Sequence, residues 1–338
     1  VPHKHATFPP PSFFTPSQSI MPFIDIGCNL TDSMYQGEYN GSQKHPPDLD
    51  RVLDRAWEAG LSHIVITAGT LDEARKALEM SSDDRRLFTT VGVHPTRCKE
   101  LVEAEEGMAA YIDTLLDLAK EGQKTGKVVA IGECGLDYDR LHFCDQATQL
   151  TGFEAQFVLA EETGLPMFLH NRNCAHDFVQ TLQRHRHRFS QGVVHSFTGP
   201  PSEAEALLSM DAVYIGLNGC SFKTEEQLAT IQSHIPLGRT LLETDAPWCD
   251  VRPTHAGHKH LQSGEEKDMF GTVKKEKWSR DKCVKGRNEP CHIRWVAAIL
   301  AGVHDVPFAQ VEAICHANTL ACFPGLARGD KEEEEKET

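Results

Sequence analysis

The sequence lacks a long apolar run, an excess of positive charge and any closely paired cysteines. No stretch approaches the roughly 18 to 20 consecutive apolar residues that a membrane-spanning helix needs, so the sequence predicts no membrane span. The formal net charge of −15 argues against indiscriminate coating of nucleic acid. The 11 cysteines form no C-x-x-C pair, which predicts reduced thiols and argues against a zinc finger.

A glycine-rich nucleotide-binding loop is missing as well. No G-x-G-x-x-G follows the first predicted strand, residues 23–26, which counts against a dinucleotide-binding fold. An open, doubly wound sheet nevertheless stays as the alternative fold, and it would place a ligand at a topological switch point.

Composition divides the 338 residues into three parts. Residues 1–21 are rich in Pro, Ser and His and lack periodicity, which predicts a disordered leader or an expression remnant rather than a targeting peptide. Residues 22–327 predict one barrel domain, a size that such barrels often reach. Residues 328–338 carry the run E-E-E-E and predict a disordered acidic tail.

Four short apolar segments each lead to a Glu, His or Asp side chain. Uninterrupted apolar segments of strand length are typical of parallel strands that are buried on both faces. A carboxylate at the end of such a strand is costly to bury unless a positive charge meets it, and a bound cation would supply that charge. The segments are 128–131 before Glu133, 165–169 before His170, 193–194 before His195 and 240–244 before Asp245.

These segments belong to a regular alternation of eight predicted strands with helices. Such alternation specifies parallel pairing through helical crossovers, and eight strands close a (β/α)8 TIM barrel of the α/β class. Barrels carry their chemistry at the carboxyl ends of the strands, where the Glu, both His and the Asp lie. The other strands are predicted at 23–26, 64–66, 88–93 and 213–217, and helices at 49–60, 71–80, 108–120, 146–164, 295–303 and 311–322.

The four side chains predict a divalent-metal site. A lone His at a strand end is more often structural, but a barrel points equivalent strand ends at one another. We therefore predict that the metal ligands are Glu133, His170, His195 and Asp245. A mixed set of nitrogen and oxygen donors suits Mg²⁺, Mn²⁺ or Zn²⁺, and the donor types alone do not name the ion.

Seven motifs follow one another along the chain: I-D-I-G-C-N-L-T-D (24–32), V-G-V-H-P (91–95), A-I-G-E-C-G-L-D (130–137), F-L-H-N-R (168–172), V-V-H-S-F-T-G (193–199), L-L-E-T-D-A-P (241–247) and R-N-E-P (287–290). Together they resemble the TatD family of metal-dependent deoxyribonucleases, and the wording D-R-L-H-F-C and R-N-E-P-C-H is similar to an animal branch of that family. The resemblance implies an amidohydrolase-like barrel that hydrolyses DNA phosphodiester bonds. It also implies 3′ to 5′ exonuclease activity, abasic-site or endonucleolytic cleavage, or both, in DNA repair or processing.

The sequence departs from a common family pattern at the end of the first strand. Many members of the family have D-T-H-A-H there, whereas this chain has D-I-G-C-N at 25–29. The resemblance therefore implies one main metal site and, at most, a weaker second ion. Candidate ligands of that second ion, or side chains that orient the main ligands, are Asn29, Asp25 and Asp137. Mg²⁺ is the ion that we expect in use.

The predicted chemistry is metal-assisted hydrolysis of a phosphodiester. Asp245 is expected to bind the ion and to orient or deprotonate the attacking water, and Glu133 is expected to anchor the ions. His94 is expected to donate a hydrogen bond to the substrate or the leaving group, with a packing role before Pro95 as the alternative. Arg172 follows a predicted ligand by two residues and is expected to bind the substrate phosphate through its planar guanidinium.

Residues 248–288 predict a long basic loop on the catalytic face of the barrel. Within it, residues 274–287 contain seven basic and two acidic side chains, which reverses the acidic balance of the chain. We predict that this segment tracks DNA phosphates and offers an indole as a stacking platform, with a solvated charged loop as the alternative. The candidate contacts are Lys274, Lys275, Trp278 and Arg287.

Two function classes stay open on the sequence alone. The favoured class is a metal-dependent DNA phosphodiesterase. The second is a metal-dependent amidohydrolase that acts on a small-molecule or peptide-like C–N bond, because barrel and metal do not fix the substrate. Arg172, Arg287 and the basic loop favour phosphate. The expected partner is DNA, the expected oligomeric state is a monomer, and the expected location is the nucleus, with the cytoplasm as a second location.

Overall fold

Eight parallel strands form one sheet in which each strand pairs with the next along the chain. In this computed structural model the first and last strands are joined by backbone hydrogen bonds, from Asn29 N to Ala246 O (2.7 Å) and from Asp245 N to Gly27 O (2.8 Å). This order confirms the predicted (β/α)8 TIM barrel and excludes the open, doubly wound sheet. The strands are β1 (Phe23–Cys28), β2 (Leu61–Ile66), β3 (Leu87–Val91), β4 (Val128–Asp137), β5 (Met167–Arg172), β6 (Gly192–His195), β7 (Val213–Leu217) and β8 (Thr240–Leu242).

The structure describes residues 21–261 and 269–327. The predicted leader, apart from Met21, and the predicted acidic tail lie outside the described residues, as does the part of the basic loop at 262–268. Within the described ranges no single helix is long and apolar enough to cross a membrane. One bent pair, Pro290–His304 and Phe308–Cys322, reaches that length and composition only when its two arms are taken together across a 112° bend.

The barrel strands alternate with helices, and polar side chains cap the starts of three of them, at Thr70, Asp145 and Thr224. Thr70 Oγ1 accepts a hydrogen bond from Glu73 N (3.1 Å), and Asp145 Oδ1 accepts one from Thr148 N (3.0 Å), so both caps satisfy amides that the helix itself leaves unpaired. Gly164 ends its helix in the left-handed conformation that glycine favours. The helices are α1 (Leu49–Glu58), α2 (Leu71–Asp83), α3 (Cys98–Val102), α4 (Met108–Lys124), α5 (Gln146–Thr163), α6 (Ala175–His185), α7 (Pro201–Leu208), α8 (Glu225–His234), α9 (Ile293–His304) and α10 (Phe308–Cys322).

The barrel interior is a small apolar core, separate from the larger core between strands and helices. It is built mostly from the second residue of each strand, such as Ile24, Val129 and Phe168. Phe323 and Leu326, which follow α10, are fully buried in the same cluster. We call residues 323–326 the barrel plug. Because the plug covers the strands near their starts, the carboxyl ends of the strands are left as the open end of the barrel.

Strand β4 is longer than the sequence predicted. The expected strand covered 128–131, whereas the observed strand continues to Asp137. Gly132 and Gly135 allow this extension: both have positive φ (139° and 149°), and a Cβ on either would lie about 2 Å from a carbonyl oxygen of β5 (2.1 and 1.9 Å). Glu133 therefore lies inside the strand and Asp137 ends it, which corrects the predicted strand end without moving either side chain away from the open end.

Candidate active site

The carboxyl ends of the strands open into a cavity of about 550 Å³. The side chains in its wall come from the ends of the eight strands or from the segments that follow them, the arrangement in which barrel enzymes build their sites. Most of the predicted site residues meet here. Those in the cavity wall are Asn29, His94, Glu133, Asp137, His170, Arg172, His195 and Asp245.

Three metal-type side chains converge on one point of the cavity. Glu133 Oε1 lies 2.6 Å from His170 Nδ1 and 2.7 Å from His195 Nε2, and these two ring nitrogens are 3.2 Å apart. We call Glu133, His170 and His195 the catalytic cluster. Two imidazole nitrogens and a carboxylate oxygen that share so small a space repel one another through their lone pairs unless protons or a cation lie between them.

Opposite charges within the catalytic cluster offset the cost of burying it. Burial raises the pKa of Glu133, but the charge of His195 and the hydrogen bonds with His170 and His195 bring that pKa well below its usual value. Burial lowers the pKa of His195, yet Glu133 and Glu243 raise it well above its ordinary value. The cluster thus combines an ionised carboxylate with a demand for positive charge, which protons or a divalent cation can meet.

Asp245 lies beside the catalytic cluster, three residues beyond β8, in a left-handed backbone conformation (φ 53°). Its Oδ1 accepts a hydrogen bond from Asn29 Nδ2 (2.9 Å), and Asn29 Oδ1 accepts one from Thr67 Oγ1 (2.8 Å). Asn29 is thereby held in an orientation that positions Asp245. Burial raises the pKa of Asp245 to about 7, although the charge of His195 lowers it. A carboxyl group with such a pKa is suited to take a proton from water near neutral pH.

His94 and Asp137 flank the cluster. His94 Nε2 is 3.6 Å from Glu133 Oε1, and its ring meets the His170 ring edge-on with 4.5 Å between centroids. Thr96 N donates to His94 Nδ1 (3.2 Å), so the ring proton lies on Nε2. Burial lowers the pKa of His94 to about 3, which keeps the ring neutral. Asp137 Oδ2 lies 3.2 Å from His170 Nε2 and orients that ring.

Asp25 lies beneath the cavity and not in its wall. It is fully buried, its Oδ1 accepts hydrogen bonds from Gly27 N (3.2 Å) and Thr244 N (3.0 Å), and its Oδ2 accepts one from Thr244 Oγ1 (2.5 Å). Burial raises its pKa to about 7. Since its hydrogen bonds hold the backbone that leads to Asp245, the structure contradicts direct binding of a second metal by Asp25 and leaves the orienting role.

A family model described as TatD related DNase matches residues 24–324. The chain belongs to the TatD family. This membership confirms the resemblance seen in the sequence motifs.

Relatives of this TatD chain are similar over most of their length. The deoxyribonuclease Tat-D of Schizosaccharomyces pombe is 40% identical over 299 residues, which cover 88% of this chain and 94% of the relative. The 3′-5′ ssDNA/RNA exonuclease TatD of Edwardsiella piscicida is 36% identical over 236 residues, 68% of this chain and 82% of the relative. The crystal structure of a TatD family hydrolase from Entamoeba histolytica superposes with a TM-score of 0.81 at 38% identity and covers 90% of this chain and 98% of that one.

The TatD family implies a divalent metal, and the catalytic cluster fits one. Its nitrogen and oxygen donors converge on one point, as a cation requires. The second nitrogen of each imidazole also faces a carboxylate: His195 Nδ1 lies 3.4 Å from Glu243 Oε2, and His170 Nε2 lies 3.2 Å from Asp137 Oδ2. Carboxylates placed in this way orient metal-binding imidazoles and make them better donors.

Arg172 is the predicted phosphate contact that lies in the cavity wall of this TatD chain. Its side chain is 41% exposed, and Nε donates to Asp139 Oδ2 (3.0 Å). An exposed ion pair of this kind contributes little to stability, so the guanidinium can exchange Asp139 for a substrate phosphate. Three further cations in the cavity wall, Arg97, Arg140 and Lys223, were not predicted from the sequence.

Arg287 does not reach the cavity, so the prediction that it binds a phosphate is wrong. It is 1% exposed. Nη1 and Nη2 donate to the two carboxylate oxygens of Asp48 (2.7 and 2.8 Å), and Nη2 also donates to Glu289 (2.9 Å). Glu289 in turn accepts a hydrogen bond from Arg55 Nε (2.7 Å). We call these four residues the buried ion network, and it fastens the loop after β8 to helix α1 and the residue before it.

The other predicted DNA contacts also lie outside the cavity. Trp278 is half-buried, its Nε1 donates to Asp48 Oδ2 (2.8 Å), and its ring stacks on His45 with 5.8 Å between centroids. Because its N–H and one ring face are engaged, Trp278 is not the open platform that we predicted. Lys274 is exposed and Lys275 Nζ lies 4.7 Å from a tyrosine ring, so both can meet DNA only beside the cavity.

Two more residues of the site, besides those cations, were missed in the sequence. Trp248 is 51% exposed in the cavity wall, and Glu243 is fully buried behind His195. Both lie in or next to the motif at 241–247, so proximity to a predicted ligand was the available signal. The prediction followed the basic residues around Trp278, which do not surround Trp248.

Proposed function

We propose that this chain is a metal-dependent deoxyribonuclease that hydrolyses phosphodiester bonds. The observation that carries the proposal is the convergence of Glu133, His170 and His195 in a cavity whose wall also contains Arg172 and Trp248. A guanidinium is suited to a phosphate and an exposed indole is suited to a base. The activities named for two relatives, a deoxyribonuclease and a 3′-5′ ssDNA/RNA exonuclease, support the same class.

The donors that would hold the divalent ion are the catalytic cluster and Asp245. When bound there, such an ion polarises a phosphoryl oxygen and lowers the pKa of a coordinated water. The side chains carry out the proton transfer and orient the reacting groups. Asp245 takes a proton from the attacking water while the water oxygen forms its new bond to phosphorus. Asn29 keeps Asp245 in the orientation that this transfer needs.

On the leaving side, the bond between phosphorus and the departing oxygen breaks. His94 donates a hydrogen bond from Nε2 to that oxygen, because its proton lies on Nε2 and its ring is neutral. The departing oxygen completes its bond to hydrogen with a proton from water. Arg172 binds the non-bridging phosphate oxygens and holds the phosphorus in line with the attacking water.

We also propose the identity of the ion, the polarity of cleavage, the preferred substrate, the location and the oligomeric state. Mg²⁺ is the proposed ion, one or two per chain, since the cavity offers several carboxylates besides the two imidazoles. The proposed polarity is 3′ to 5′, which the name of the Edwardsiella relative supports. Abasic-site cleavage and a role in DNA repair are proposed from the family resemblance. Residence in the nucleus is proposed from a DNA substrate and reduced cysteines. The proposed oligomeric state is a monomer, which light scattering tests.

The deciding experiment is cleavage of end-labelled single-stranded, duplex and abasic DNA by the purified full chain. Each substrate is incubated in EDTA and then with Mg²⁺, Mn²⁺ or Zn²⁺. We expect metal-dependent products from the wild type and from Asp211→Asn, a variant of an exposed carboxylate far from the cavity, and loss of products from Asp245→Asn. The ladder of labelled fragments gives the polarity directly.

A folded, metal-loaded protein that leaves all three substrates intact would contradict the proposal. Assay on amide and cyclic-amide substrates would then test the amidohydrolase alternative with the same variants. Cleavage that persists in EDTA would instead show that the activity does not depend on a divalent ion bound by the catalytic cluster.

A further inference from the structure

A second group of metal-type donors lies away from the catalytic cavity. Cys283 belongs to the short strand Cys283–Val284, which pairs with Thr272–Val273 in the loop after β8. Cys291 and His292 lie in the single 3-10 turn before α9. Both thiols are buried and His292 is half-buried. One donor atom from each of the three lies within 4.8 Å of the other two.

The spacing of the two thiols fits a shared cation. Cys283 Sγ and Cys291 Sγ are 4.0 Å apart. Two sulfurs bound tetrahedrally at about 2.3 Å to Zn²⁺ would be separated by roughly 3.8 Å. A disulfide would need about 2.05 Å, and both cysteines are free thiols in the structure. The observed separation therefore excludes a disulfide and, besides a contact between two thiols, fits two ligands of one cation.

A chain of hydrogen bonds selects the nitrogen of His292 that can bind. Glu289 N donates to Asn288 Oδ1 (3.0 Å), and Asn288 Nδ2 donates to Thr244 O (2.9 Å), which determines the orientation of the amide. Asn288 Oδ1 must then accept from His292 Nδ1 (2.8 Å), so the ring proton lies on Nδ1 and Nε2 keeps its lone pair. Trp295 stacks on the ring at 4.1 Å and holds its plane. Metal-binding imidazoles are oriented in this way through their second nitrogen.

The surroundings leave room for one further ligand. A cavity of about 10 Å³, lined by the three donors together with Met269, Phe270, Arg294 and Trp295, is large enough for about one water molecule. The nearby carboxylate of Glu289 is already paired with two arginines of the buried ion network. The charge of a divalent cation would therefore be balanced by the two thiolates.

We propose that Cys283, Cys291 and His292 form a second metal site, which binds a thiophilic divalent cation such as Zn²⁺ with one water as the fourth ligand. The sequence hid this site because its spacing, C-x₇-C-H, contains no C-x-x-C pair. The bound cation fastens the loop after β8 to the turn before α9. This site shares no ligand with the catalytic cluster, so the proposal can be tested independently of the proposed nuclease activity.

Anaerobic titration of the reduced, EDTA-stripped full chain with Co²⁺ tests the proposal, because cobalt bound to thiolates absorbs through charge transfer in the near ultraviolet. We expect this absorption in the wild type, and its displacement by Zn²⁺. Cys315→Ser, which makes the same change at a buried cysteine of α10, should keep it. Cys249→Ser should also keep it, which separates the site from the one thiol that contacts Asp245.

The absorption should disappear in Cys283→Ser. His292→Gln, which removes one donor from a less buried position, should bind Zn²⁺ at least about tenfold more weakly in a competition with a colorimetric chelator. Absence of the absorption in the folded wild type would overturn the proposal. So would its persistence in Cys283→Ser, its loss in Cys249→Ser, or unchanged Zn²⁺ affinity in His292→Gln.

Discussion

The catalytic cluster and the buried ion network both bury charge, yet they are built in opposite ways. In the network every cation is paired with an anion. Arg287 forms a bidentate ion pair with Asp48, and Glu289 accepts hydrogen bonds from both Arg287 and Arg55. In the cluster one carboxylate oxygen faces two imidazole nitrogens that are themselves 3.2 Å apart. The network is neutral, whereas the cluster needs an added charge. This missing charge, rather than burial of charge, is what distinguishes the candidate site.

The largest effect that this comparison predicts is on catalysis. Asp245→Asn removes the proposed proton acceptor and should lower the rate of metal-dependent DNA cleavage by about 10²- to 10⁴-fold. Single-turnover cleavage with end-labelled DNA measures it. Thermal unfolding should stay close to that of the wild type, because the amide has the same shape as the carboxylate. A full cleavage rate in this variant would remove Asp245 from the mechanism.

Next in size is the loss of stability when the network is broken. Arg287→Ala leaves Asp48 buried without its main partner and should lower the free energy of unfolding by about 3 to 5 kcal/mol, measured by urea denaturation. Arg86→Ala breaks a partly exposed pair with Asp84 and is the matched control, with an expected loss below about 1 kcal/mol. If Arg287→Ala kept wild-type stability but bound DNA weakly, the network would be the functional region after all.

The two tryptophans sharpen the same comparison. Trp248 is exposed in the cavity wall, so Trp248→Ala should weaken binding of single-stranded DNA by about 1 to 3 kcal/mol, measured by fluorescence anisotropy with the catalytically weakened Asp245→Asn chain. Trp278→Ala removes a hydrogen bond to Asp48 and should instead lower stability by about 1 kcal/mol, plus the loss of packing. The opposite assignment of the two effects would return Trp278 to its sequence-predicted role.

The smallest expected effect comes from the lysines of the loop. Replacing Lys274, Lys275 and Lys277 by Ala should weaken DNA binding and flatten its salt dependence, by about 0.7 to 0.9 in the logarithmic slope for each phosphate that the variant no longer neutralises. Binding isotherms at several salt concentrations measure the slope. An unchanged slope would identify this segment as a solvated loop.

The sequence was informative wherever function depends on a strand. Each of Glu133, His170 and His195 follows an apolar segment, and a barrel brings the ends of such segments together, so the site could be assembled from local patterns alone. The position of each ligand after an apolar segment was therefore enough to predict which side chains the barrel brings together.

The failures arose where function depends on contacts between distant loops. Nothing near Arg287 indicates that Asp48, 239 residues earlier, will pair with it. The same holds for Trp278 and Asp48, which are 230 residues apart. The length of β4 was missed for a different reason, because glycine usually ends a strand, whereas here two glycines let β4 and β5 approach closely.

Because the barrel plug follows all eight strands in the sequence, the barrel interior can be covered only late in synthesis. A ribosome delivers β1 first, but the edge of β1 that meets Ala246 has no partner until that residue emerges. The apolar floor made by the second residues of the strands stays uncovered until Phe323 and Leu326 have left the exit tunnel. A nascent chain that stalls before α10 therefore leaves the apolar interior of the barrel exposed to water. Chaperones recognise exposed apolar surface of this kind.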